Sequence, residues 1–93
     1  MLSKTFKVKN MFGLHARPAR LIVDAAAKYK SNIYLAKNGE EVNAKSIMGI
    51  LMLEASQGSE LVLRIEGEDE NEAMKDLEAV FEKITSQDGS ADL

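Results

Sequence analysis

Seven short periodic segments in the order βαββαβα predict an α+β fold, a two-layer open-faced sandwich. An antiparallel four-stranded sheet carries three helices on one face. Three observations predict it. The strand-like segments alternate polar and apolar residues, so each has one face to bury. The longer helical segments each carry a single apolar stripe. The dipeptide Asn38-Gly39 marks a tight hairpin, which makes its two flanking strands antiparallel neighbours.

Each element has its own signal. Thr5-Phe6-Lys7-Val8-Lys9 alternates as a half-buried strand should. From Ala16 to about Lys28, Ala16, Ala19, Val23 and Ala26 recur at helical spacing, with Arg17, Arg20, Asp24 and Lys28 on the other side. Asn32–Lys37 and Glu41–Asn43 flank the hairpin turn. Ser46 can cap a short helix running to about Leu53. Glu60–Glu66 places Leu61, Leu63 and Ile65 on one face of a strand. Asp69 with Glu72 three residues on has the form of a capping box, and Met74, Leu77, Phe81 and Ile84, widened by Ala73 and Val80, form the stripe of a last helix.

Ninety-three residues, 45% of them apolar, make one small folded domain, expected over 1–85, with a polar and mobile tail over 86–93. The absence of cysteine fits a reducing cytosol, and with a single histidine it leaves no His/Cys cluster to hold a metal. The start, Met1-Leu2-Ser3-Lys4, lacks the apolar stretch of a signal peptide, and no apolar run reaches the ~20 residues of a membrane helix. A cytoplasmic location is therefore expected. The net charge of −3 conceals an asymmetry: residues 1–45 hold nine basic against three acidic side chains, residues 46–93 three against twelve. A basic half suits an acidic or phosphorylated partner. Nucleic acid is disfavoured, because the chain is acidic overall, aromatics are few and no Lys/Arg run exists. Lys28, Lys30 and Lys37 read as ordinary solvated charges.

The residues that carry chemistry lie in Phe12-Gly13-Leu14-His15-Ala16-Arg17-Pro18-Ala19. Gly13 permits a sharp turn, and Pro18, the only proline, suits the first turn of a helix. His15 then stands at a helix start, where the N–H groups of Ala16 and Arg17 and the positive end of the dipole form an anion site. Arg17 adds a fixed charge with a planar fork of donors. Taken alone, such a histidine is more often a surface or capping residue. Beside a ready anion site, however, a nucleophilic ring nitrogen can carry a phosphoryl group.

The string Gly13-Leu14-His15-Ala16-Arg17-Pro18-Ala19 resembles the active-site motif of the HPr family, the histidine phosphocarriers of bacterial phosphotransferase systems. Lys45-Ser46-Ile47-Met48-Gly49-Ile50 is similar to that family's regulatory-serine segment, and the resemblance covers residues 1 to about 85. It implies the HPr-like fold, which separates this chain from ferredoxin-like domains of much the same element order. It also implies a relay. His15, through Nδ1, accepts a phosphoryl group from phosphorylated Enzyme I and passes it to an EIIA-type acceptor, while Arg17 and the N–H groups of Ala16 and Arg17 stabilise the charge. No cofactor or metal is implied, and a monomeric carrier is expected rather than an enzyme. Many members are phosphorylated at the serine equivalent to Ser46 by a dedicated HPr kinase/phosphorylase, although a serine here is first of all a good N-cap.

Ile47, Met48, Ile50, Leu51, Met52 and Leu53 make the second helix apolar nearly all round. Ile50 and Leu53 are expected in the core, leaving Ile47, Met48 and Leu51, with Arg20 nearby, as a docking patch. Two branches stay open. Lys45-Ser46-Ile47-Met48-Gly49 is similar to sugar-branch, serine-regulated members. Leu51-Met52-Leu53-Glu54 is similar to nitrogen-branch regulatory paralogues, whereas sugar-branch members usually have glycine or a small residue where Glu54 stands. A non-catalytic docking module controlled through Ser46 is the rival from another class, and such relatives lack the histidine. A small-ligand-binding domain would need a pocket that the sequence does not display.

Overall fold

A computed structural model describes residues 1–85, so the expectation for 86–93 lies outside the described residues. Its elements are β1 (Leu2–Lys7), α1 (Ala16–Ala26), β2 (Asn32–Lys37), β3 (Glu40–Asn43), α2 (Ile47–Met52), β4 (Glu60–Glu66) and α3 (Glu70–Thr85). The four strands form one antiparallel sheet in the order β1-β4-β2-β3. The central register sets Phe6 opposite Leu61, Ile33 opposite Ile65 and Leu35 opposite Leu63, all buried beneath the helices. From above, α1 contributes Ala19, Ile22 and Ala26, and α3 contributes Leu77, Phe81 and Ile84. The rings of Phe6 and Phe81 stack with centroids 4.8 Å apart. The other sheet face is open to solvent. On it Arg64 donates to both carboxylate oxygens of Glu41 at 2.8 and 2.9 Å and lies 4.4 Å over the ring of Tyr34.

The hairpin turn is of the mirror-image kind that matches strand twist, with Asn38 at φ +53° and Gly39 at φ +83°. The bounds of β2 and β4 agree with the alternation. Those of β1 do not. Its ladder with β4 ends at Lys7 opposite Glu60, because beyond that point Val8 exchanges hydrogen bonds with the Gly58–Ser59 turn (2.7 and 2.8 Å). Val8 is buried all the same, so its alternation marks burial rather than pairing.

Four further expectations need correction. Helix α1 ends at Ala26, where Lys28 and Tyr29 donate back only three residues to Ala25 and Ala26 and tighten the last turn. Its buried stripe is Pro18, Ala19, Ile22, Ala25 and Ala26; Ala16 is exposed and Val23 half-buried, because the face that meets the sheet is centred on Ile22, one residue round the helix from Val23. At the start of α3, Asp69 does not form the expected capping box. Its carboxylate accepts the N–H groups of Lys30 (2.8 Å) and Ser31 (2.9 Å) and the Ser31 hydroxyl, tying α3 to the start of β2. The reach back to the backbone comes from Glu70, which accepts the Gly67 N–H at 3.1 Å, rather than from Glu72. Lys37, read as a solvated charge, donates to the carbonyls of Leu53 (3.1 Å) and Glu54 (2.9 Å) at the end of α2, where the helix dipole favours a cation.

Candidate functional site

The turn before α1 is built on a close approach. Gly13 has φ +65°, and a Cβ there would stand 2.8 Å from the Ser56 Cα and closer still to the Ala55 carbonyl. Leu14 donates to that carbonyl at 2.8 Å, so the loop after α2 lies directly against the turn. Only glycine permits both the positive φ and the contact. At the other end of the segment, Gln57 donates to the Lys9 carbonyl at 3.0 Å. The turn itself is closed by Asn10, whose carbonyl accepts from Gly13 N–H (3.2 Å) and whose side-chain amide donates to the Gly13 carbonyl (2.8 Å).

His15 is the N-cap residue of α1, extended at φ −86°, ψ −166°. Its carbonyl takes the first helical bond, from Ala19 at 3.0 Å, while its imidazole makes no capping bond and is exposed. Ala16 and Arg17 follow in the first turn, both exposed, and their N–H groups precede the intrahelical ladder. Pro18 has no N–H and buries its ring. An uncapped imidazole, a helix N-terminus and an exposed arginine residue thus follow one another at the start of α1. Phe12 lies edge-on to the imidazole, ring centroids 6.2 Å apart. Arg20, one turn on, is exposed and pairs loosely with Asp24 at 3.4 Å. Among the described residues no three His, Cys, Asp or Glu side chains are placed to share a metal ion, and no helix is long and apolar enough to cross a membrane.

Ser46 caps α2 as its type predicts, accepting the Gly49 N–H at 3.1 Å. Ile50 and Leu53 are buried as expected. The proposed patch needs adjustment: Ile47 and Leu51 are half-buried against the core, whereas Met48 is 64% and Met52 67% exposed. A six-residue helix resting on Ile50 tilts its flanking residues partly inward, and Met52, four residues after Met48, takes the outer position.

Sequence reasoning missed Met11 and Asn10, and gave Phe12 no role of its own within the stretch it singled out. Met11 and Phe12 are 60% and 64% exposed at the centre of the turn. A signal existed, because turn residues at both ends, Asn10 and Gly13, force whatever lies between them outward. The buried side chain of Asn10 had no such signal.

The family model described as the PTS HPr component phosphorylation site matches residues 2–83. The phosphocarrier protein HPr of Xylella fastidiosa is 47% identical over 88 residues, which is 95% of this chain and 99% of that protein. The HPr-like protein Crh of Halalkalibacterium halodurans is 48% identical over 83 residues, 89% of this chain and 99% of the relative. The crystal structure of HPr-C-His from Thermoanaerobacter tengcongensis shares the fold with a TM-score of 0.87 at 46% identity, covering 95% of this chain and 99% of that one.

Proposed function

This chain belongs to the HPr family of the phosphotransferase system, and from that premise we propose that it relays a phosphoryl group through His15. The Nδ1 atom of His15 attacks the phosphorus of a phosphohistidine on Enzyme I. A new N–P bond forms as the donor's N–P bond breaks, and the donor nitrogen leaves with the electron pair. The three peripheral oxygens carry the charge, which the N–H groups of Ala16 and Arg17 and the Arg17 guanidinium neutralise. An EIIA-type protein then takes the group by the same in-line exchange. Residues 1–85 form the carrier domain, which acts as a cytoplasmic monomer and as a substrate in a chain of transfers.

The observation that carries this reading is the uncommitted imidazole of His15 at the N-terminus of α1. Partners dock over Met48 and Met52, with Ile47, Leu51 and Arg20 at the margin. Where an HPr kinase/phosphorylase is present, Ser46 is its target. A phosphate there is tolerated by the start of α2 but sets negative charge beside the apolar surface. Incubation with phosphoenolpyruvate and Enzyme I tests the relay: wild type should gain an acid-labile phosphoryl group and His15→Ala none. Labelling of His15→Ala would overturn the reading.

The 48% identity to Crh supports a second reading, a regulator that works by docking alone. That reading leaves the exposed imidazole and its anion site without a use.

A further inference from the structure

The relay assigns no role to Asn10, although its side chain is 1% exposed and stands three residues from Gly13. The chain from Val8 to Leu14 is fastened at both ends to the 55–59 loop: Val8 to Gly58 and Ser59, Lys9 to Gln57, Leu14 to Ala55. Between those anchors, among the described residues, the only hydrogen bonds that span the turn are the two between Asn10 and Gly13. The second bond comes from the side-chain amide, and the other end of the carboxamide, Oδ1, is buried with no partner.

A buried, unpaired acceptor lowers stability, so a residue serving the core alone would be better replaced by an apolar one of similar shape. What the carboxamide does provide is a fixed closure of the turn. Phe12 lies inside that closure and His15 two residues beyond it, with an imidazole that no capping bond holds. The direction of the ring therefore depends on how the turn is set.

We propose that Asn10 is a positioning residue of the phosphoryl site: its amide clamps Gly13 so that His15 presents its ring nitrogen in line with the donor. This rests on the relay reading and deepens it. Misplacing a reacting atom by about 1 Å lowers transfer by about a hundredfold. Docking over Met48 and Met52 lies outside the turn and is untouched.

The test uses Asn10→Leu, which removes both polar atoms and keeps the branched outline of the side chain, and the smaller Asn10→Ala as a second variant, each as acceptor from phosphorylated Enzyme I well below its melting temperature. The expected result is a kcat lowered by about tenfold to a hundredfold, an unchanged KM and a melting temperature within a few degrees of wild type. Wild-type kcat in a folded variant, a loss confined to KM, or failure of both variants to fold would each overturn the proposal, the last by making Asn10 a stability residue. Wild-type protein that takes no label from Enzyme I would instead overturn the relay reading, so the two failures are distinguishable.

Discussion

Glu54 shows how one backbone angle explains a residue that the sequence left in tension. It follows the C-cap of α2 at φ +51°, the left-handed position in which many helices end and for which glycine is best suited. A glycine at this position is thus a conformational choice, and glutamate holds it under strain. Glu54→Gly should raise stability by about 1 kcal/mol or slightly less, measured by urea unfolding, with the relay unchanged. Arg17 is the opposite case, an exposed side chain to which the proposed relay gives a chemical role. Arg17→Ala should slow phosphoryl transfer by on the order of 10²-fold and leave stability within about 0.5 kcal/mol. Stopped-flow transfer rates beside a thermal melt check both halves. At this scale the sequence was legible where a residue type has few uses: Gly13 and Pro18 around a lone histidine announced the helix start. It was illegible at Asn10 and Asp69, because what a polar side chain bonds to is set by segments distant in the chain.

At the scale of elements, α2 combines a cap, two core residues and an outer face. Ile50 and Leu53 fasten it, Ser46 starts it, and Lys37 holds its C-terminal carbonyls. With Met48 free of the core, Met48→Glu should change stability by less than about 0.5 kcal/mol while weakening binding to Enzyme I roughly tenfold or more. Calorimetric titration measures the second, and wild-type affinity would remove Met48 from the docking surface. Elements whose alternation coincides with pairing, β2 and β4, were bounded correctly from sequence. The end of β1 was not, since the burial of Val8 looks the same whether a strand or a turn supplies its hydrogen bonds. The apolar excess of α2 showed that something stays exposed, but which residues do follows from how a six-residue helix seats on the sheet.

At the scale of the whole molecule, polar ties join α3 to the ends of α1 and β2, and these contribute to its pH dependence. Hydrogen bonds from Ser31 and from the Lys30 N–H hold the Asp69 carboxyl below its ordinary value, and Tyr29 with Lys28 does the same for Asp76. Because these folded values are depressed, the stabilisation is complete above about pH 4 and is lost as pH falls through them. The Tyr29 hydroxyl, donating to Asp76 at 2.7 Å, is pushed up to about 12. Its contribution is complete below about pH 10 and is lost as pH rises through 12. Urea stability should therefore be level between about pH 5 and 9. Asp69→Asn should make the acid limb shallower and, because the Asp69 charge is among those that raise Tyr29, should also move the alkaline limb slightly to lower pH. The layered architecture and the helix face of the sheet were legible from periodicity alone, whereas these ties were not. The most direct measurement is the intact mass of the chain after phosphoenolpyruvate and Enzyme I, before and after an EIIA-type acceptor is added. The account predicts one phosphoryl group gained, then lost to the acceptor, and no gain in His15→Ala. A phosphoryl group that persists in the presence of acceptor, or that appears without His15, would contradict it.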